Sequence, residues 1–161
     1  MGGFNGTVTQ TQILASSGAR IALPDDTLTT EQAFATITIP PLKANSILKI
    51  TVLGTGTGTN TKTFRVRFGT ITGSAIHTYA MTTNLTYADM RVLSNRGVTN
   101  SQVCQNGTMS SFSSSASALT TASVDTSVAT TLVLTGQLSA GAAAATEKMY
   151  NESYLVEIIN P

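Results

Sequence analysis

Apolar and polar residues alternate along most of this chain instead of recurring every three or four positions. That is the period of a half-buried strand, not of an amphipathic helix. In 36–39, Ile37 and Ile39 share one face, and Pro40-Pro41 then blocks further ladder bonds. In 46–53, Leu48, Ile50 and Val52 face one way, with Lys49 and Thr51 opposite. The run 61–70 has the plainest pattern: Phe64, Val66 and Phe68 enter a core while Thr63, Arg65 and Arg67 point outward. Between these two strands, Gly54-Thr55-Gly56-Thr57-Gly58-Thr59-Asn60 predicts a flexible hairpin loop.

Further strands follow at regular spacing. The run 74–82 sets Ile76, Thr78 and Ala80 against Ala75, His77, Tyr79 and Met81. The run 87–94 places Tyr87, Asp89, Arg91 and Leu93 on one face and Ala88, Met90 and Val92 on the other. A weaker stretch, 98–112, contains Asn106-Gly107 as a turn; 129–138 carries Leu132, Leu134 and Leu138; and 154–159 alternates Tyr154, Val156 and Ile158 with Leu155, Glu157 and Ile159. About eight strands with no crossover helix argue for an all-β, antiparallel β-sandwich, jelly-roll-like, whose strand order one sequence does not give. The core would be Leu48, Ile50, Val52, Phe64, Val66, Phe68, Leu132 and Leu134.

Three segments depart from the pattern. Residues 1–34 carry weak strand signals broken by Ser16-Ser17-Gly18 and Pro24-Asp25-Asp26, and read as an extended N-terminal arm that packs on the domain or on a partner. The sandwich domain would then occupy 35–161. Met109–Ser117 reads as a Ser-rich surface loop, and Ala140–Ala145 as at most one helical turn.

Composition narrows the function classes. The 161 residues include 29 Thr and 16 Ser, only 11% are charged, and there is no Trp. Thr is stiff at χ1 and suits a pleated surface, so the excess supports the strand reading. One Cys and one His exclude a disulfide framework and any metal site built from Cys or several His. A formal charge of +1 lacks the basic surplus of a nucleic-acid binder. No apolar run approaches the length of a membrane span, and no signal-peptide pattern opens the chain, so the expectation is a soluble protein made in the cytosol, without membrane insertion.

Candidate chemistry is sparse. Every Ser-His-Asp scheme must pass through His77, which reads as an ordinary surface or interface His. Cys104 has no neighbour that would lower its pKa and reads as a buried, inert thiol. Asp25-Asp26 sits at a Pro turn, where such side chains bond their own backbone, and the remaining carboxylates form no calcium-loop pattern. Gly54-x-Gly56-x-Gly58 precedes a strand, whereas a phosphate loop needs a helix. Four Asn-x-Ser/Thr matches arise readily in a Thr-rich chain. The expectation is therefore no catalytic residue, no cofactor and no metal. One constellation stands out. Arg65 and Arg67 share an outward face, and a hairpin would bring Lys49 and Lys62 beside them, either as a solvated face or as a docking patch for an acidic partner or neighbouring subunit.

The run Ile37-Thr38-Ile39-Pro40-Pro41-Leu42-Lys43-Ala44-Asn45-Ser46-Ile47-Leu48-Lys49-Ile50 resembles a recurrent opening in small β-rich virion proteins of tailed bacteriophages. Lys62–Gly69 resembles their second strand, Thr131–Leu138 a late strand and Leu155–Ile158 the closing one, so the resemblance spans about 35–160. It implies a jelly-roll module of the phage virion, commonly a homotrimer on capsids or on tail and fibre tips, with no catalytic residues. No coiled-coil or repeat shaft precedes the module, which favours a capsid decoration or cement protein bound to the major capsid or another virion protein. Residues 1–34 would then be its attachment element. The alternative is a tail-fibre or receptor-binding tip that recognises a host-surface glycan through Tyr79, Tyr87 or Tyr150.

Overall fold

A computed structural model describes residues 10–83, 86–107, 114–139 and 146–161. Among the described residues there are eleven strands and no helix: β1 (Gln10–Ser17), β2 (Ile21–Ala22), β3 (Gln32–Ile39), β4 (Ile47–Thr57), β5 (Lys62–Phe68), β6 (Ser74–Met81), β7 (Thr86–Asn95), β8 (Gln102–Cys104), β9 (Thr120–Ala122), β10 (Thr130–Leu138) and β11 (Lys148–Asn160). Most of Met109–Ser117 and all of Ala140–Ala145 lie outside the described residues, as does the beginning of the N-terminal arm.

The long strands pair as a nested ribbon. β5 pairs with β6, β4 with β7, β3 with β10 and β1 with β11, every pair antiparallel. The ribbon rolls so that β10 also lies on β5, and β11 on β4. Two sheets result, β1-β11-β4-β7-β8-β9 with β2 added against β11, and β3-β10-β5-β6. Eight long strands rolled in this order make an antiparallel jelly-roll sandwich.

Rolling corrects two local expectations. β4 and β5 do not form a hairpin: they lie in different sheets, and the short connection after Thr57 crosses between them. The glycine run is also not a flexible loop, because β4 continues through Thr57 and buries Gly54 and Gly56 on its inner face. Gly54 is needed there because the Tyr87 ring lies over it; a Cβ would stand 2.0 Å from the ring's Cζ. The turn itself uses Gly58, whose φ of 84° favours glycine.

The arm is also built into the fold over much of its length. Residues 10–17 form the edge strand β1 on β11, and Ile21-Ala22 pair with Asn151 and Tyr150. A boundary between 34 and 35 falls inside β3. The stretch 98–112 contributes only the three residues of β8 within its described part.

All eight expected core residues are buried to 2% exposure or less. Each such side chain contributes about 1.5–3 kcal/mol relative to exposure. Pro40-Pro41 ends β3 as expected, and Asn45 then takes a left-handed conformation (φ 65°) that Asn tolerates, its Oδ1 accepting from Gly97 N at 3.0 Å. Strict alternation fails in β6. The register against β5 slips between Val66 and Arg67, so Ile76 and His77 are both buried. The slip overturns the expectation of a surface His77.

Candidate functional site

Of the four basic residues expected to share a patch, Arg65 and Arg67 stay together, Lys49 is separated from them by the roll, and Lys62 by its inward parity on the same strand. Lys49 lies on β4 in the larger sheet, 3.1 Å from Glu157 Oε2 but without hydrogen-bond alignment. Arg65 and Arg67 lie on β5, on the outer face of the smaller sheet. Glu31, in the segment before β3, folds over that face and accepts from Arg65 at 3.2 Å and from Arg67 Nε and a terminal nitrogen at 2.6 and 2.7 Å. Thr135 also donates to Glu31, Arg65 donates to Gln137 at 2.9 Å, and Arg67 donates to the Gly73 carbonyl at 2.7 Å. Burial alone would raise the Glu31 pKa, but the bonds from Arg67 and Thr135 and the charges of both arginines hold it below its ordinary value. The two guanidiniums are thus committed within the chain.

Lys62 is not on a surface at all. It has the parity of Phe64, Val66 and Phe68, and its side chain is fully buried. Its Nζ donates to Glu147 Oε2 at 2.6 Å and to the Asn60 carbonyl at 2.8 Å. Glu147 Oε1 accepts from Thr59 N at 2.6 Å and Asn60 N at 3.1 Å. Burial disfavours its charge, yet the bonds from Lys62, Asn60 and Thr59 leave its pKa lowered. Gly58 leaves room for this carboxylate, because a Cβ there would stand 2.3 Å from the carboxyl carbon. A buried ion pair therefore ties the β4–β5 crossing to the start of β11. The signal was present in the sequence as the inward parity of Lys62.

A second interior cluster joins the sheets through His77 on β6 and Asp89 and Arg91 on β7. Arg91 Nε donates to Asp89 Oδ2 at 2.5 Å, and a terminal Arg91 nitrogen donates to the Asn106 carbonyl at 2.9 Å. His77 Nδ1 lies 2.9 Å from the Gly107 carbonyl, and Nε2 lies 3.1 Å from Asp89 Oδ2. Two facing oxygens favour the charged ring, but burial, aided by the Arg91 charge, outweighs them and lowers its pKa to about 4. The ring is neutral near pH 7, so its single N–H serves one of these two oxygens at a time. At 2% exposure it does not meet a substrate from solution. The sequence hinted at this cluster when Asp89 and Arg91 fell on one face with Tyr87 and Leu93.

Cys104 is buried, and burial pushes its thiol up to about 11. Asp25 Oδ1 accepts from Thr27 N at 2.9 Å, the local turn expected there. Asp26 pairs with Lys148. Among the described residues no group of three or more His, Cys, Asp or Glu could hold a metal ion. No helix among them is long and apolar enough to cross a membrane. Of the tyrosines named for a glycan, Tyr87 is buried, Tyr150 lies under the Arg20 guanidinium at 3.6 Å, and Tyr79 is 37% exposed.

The surface feature that sequence reasoning missed is the outer face of the larger sheet. The register sets Ile13, Glu157, Lys49 and Val92 in one row across β1, β11, β4 and β7, with Leu155, Thr51 and Met90 in the next. Leu53 and Ala88 follow. Ile13 is 62% and Leu53 41% exposed. An open depression of about 500 Å³ lies here, lined by Thr51, Leu53, Ala88, Met90 and Ser153 among others. The sequence signal was the presence of apolar residues on both faces of 47–53 and 154–159, as in strands covered on both faces.

No family model matches the chain, and no curated protein matches it. Among solved structures, it is similar to the infectious bursal disease virus VP2 subviral particle, at 9% identity and a TM-score of 0.35 over 94% of this chain. The match covers 32% of that protein, so this chain spans about a third of its length.

Proposed function

We propose that this protein is a structural subunit of a bacteriophage virion, a decoration or cement protein that assembles as a homotrimer on the capsid exterior and acts by contact, not by catalysis. The observation that carries this reading is the apolar outer face of the larger sheet. Soluble monomers rarely leave a large contiguous apolar patch in water. The two charges within it, Lys49 and Glu157, are opposite in sign, so a second copy can approach without a net charge to desolvate. The jelly-roll order and the resemblance of the strand sequences to phage virion proteins support the same reading. The arm keeps its proposed role as an attachment element, with 10–17 doubling as an edge strand that offers unpaired backbone to a partner's sheet.

Light scattering on the purified chain tests the assembly. The wild type should run as a trimer at micromolar concentration, and Leu53→Asp with Met90→Lys should shift it to monomer with an unchanged circular dichroism spectrum. A monomeric wild type overturns the trimer. Co-sedimentation with undecorated capsids tests the location, and lack of capsid binding with adsorption to host cells would transfer the reading to a receptor-binding tip.

A further inference from the structure

Tyr87 and Asn151 share an unusual state on the inner face of the larger sheet. Asn151 has no exposure, and neither its side-chain Oδ1 nor its Nδ2 has a partner among the described residues. Tyr87 is 4% exposed, and its hydroxyl is likewise without one. Buried polar groups left unmatched cost about 1–3 kcal/mol each, so three such atoms converging on one spot call for a common partner.

The register shows that they converge. Gly54 on β4 pairs with Tyr87 on β7 and with Asn151 on β11, so the three residues form one row. The Tyr87 ring folds across that row, and its hydroxyl oxygen lies 2.2 Å from where a Gly54 Cβ would stand. Directly paired residues have Cα atoms about 4.5–5.5 Å apart. The hydroxyl and the inward-pointing Asn151 amide therefore lie within about one water's reach of each other, since two hydrogen bonds of about 2.8 Å span that gap. Phe64, with its ring centroid 4.4 Å from that of Tyr87, supplies an apolar wall. Burial keeps the phenol protonated, so it can donate.

We propose that Tyr87 and Asn151 form an internal water-binding site between the sheets, in which ordered water bridges the phenol hydroxyl and the carboxamide. Such a molecule characteristically makes about three hydrogen bonds to otherwise unmatched groups. The site lies where the arm docks, because Ile21 of β2 pairs with Asn151. Release of β2 therefore uncovers the strand that carries half of the site.

Oxygen-17 relaxation dispersion on the full chain counts long-lived internal waters. Tyr87→Phe with Asn151→Leu should remove at least one relative to wild type; an unchanged count overturns the proposal. If that variant does not fold, a crystal structure of the wild type at a resolution that shows ordered water decides the matter. Water density within hydrogen-bond distance of both side chains supports the site. A direct Tyr87–Asn151 bond, or a dry interior, overturns it.

Discussion

Removing the Glu147 charge should destabilise this protein more than almost any other single polar substitution. In Glu147→Gln the Lys62 ammonium stays fully buried, with the Asn60 carbonyl as its remaining strong acceptor. Breaking one side of a buried pair costs about 3–5 kcal/mol. Lys62→Met should cost less, about 2–3 kcal/mol, because Thr59 N and Asn60 N still compensate the carboxylate. The double variant should recover about 2 kcal/mol relative to the sum, since neither charge is then stranded. At about 2.1 cal/mol/K per residue, unfolding of 161 residues carries about 0.3 kcal/mol/K, so the Gln variant should melt about 9–15 °C lower. Urea titrations of the four proteins at pH 7 give the cycle. The sign with pH follows from the lowered Glu147 pKa. The unfolded chain holds the proton more tightly, so the stabilisation is complete above the ordinary value of 4.5 and is lost as pH falls through the folded value. The gap between wild type and Glu147→Gln should therefore narrow in acid. Single variants costing under about 1 kcal/mol, or an additive double variant, would refute the buried-pair argument.

Two further outcomes follow from the interior. His77 is held at about 4 against an ordinary 6.5, so between those values the unfolded chain binds more protons and stability falls as pH is lowered. Wild type should lose on the order of 2–3 kcal/mol from pH 6.5 to 4, and His77→Gln should flatten the slope between pH 5 and 6.5, where carboxylates contribute little; equal slopes in denaturant titrations would sink the assignment. Gly54→Ala forces a methyl into the Tyr87 ring and should cost at least about 1–3 kcal/mol, whereas Gly18→Ala, with nothing within 4 Å, should leave the melting temperature close to wild type. Similar losses at both positions would show that backbone freedom, not the close ring, governs Gly54.

Much of the fold was legible because strand periodicity is a local property. Leu48, Ile50, Val52, Phe64, Val66 and Phe68 fall on alternate positions, and a pleated strand with one face in a core buries such positions whatever its partners. The chain therefore carried its class, its core and most of its strands in the order of its residues. The inward parity of Lys62 and the shared face of Asp89 and Arg91 were also legible in the chain, as charges on apolar faces that need partners.

Pairing is non-local, and that is where tertiary structure decided. Nothing near Gln10–Ser17 specifies β11 as its neighbour, yet this pairing turns part of an arm into an edge strand. The glycine run at 54–58 has the local character of a turn. It becomes strand because β7 and β11 pair with it, and Gly54 is glycine because Tyr87, brought over it by β7, fills the space a side chain would take. Lys49 and Lys62 are near in sequence and on different sheets because a rolled ribbon crosses between layers where a hairpin would turn back. Glu31 meets Arg65 and Arg67, and Glu147 meets Lys62, only after the roll closes, because side chains so far apart in sequence can pair only once the chain between them has folded.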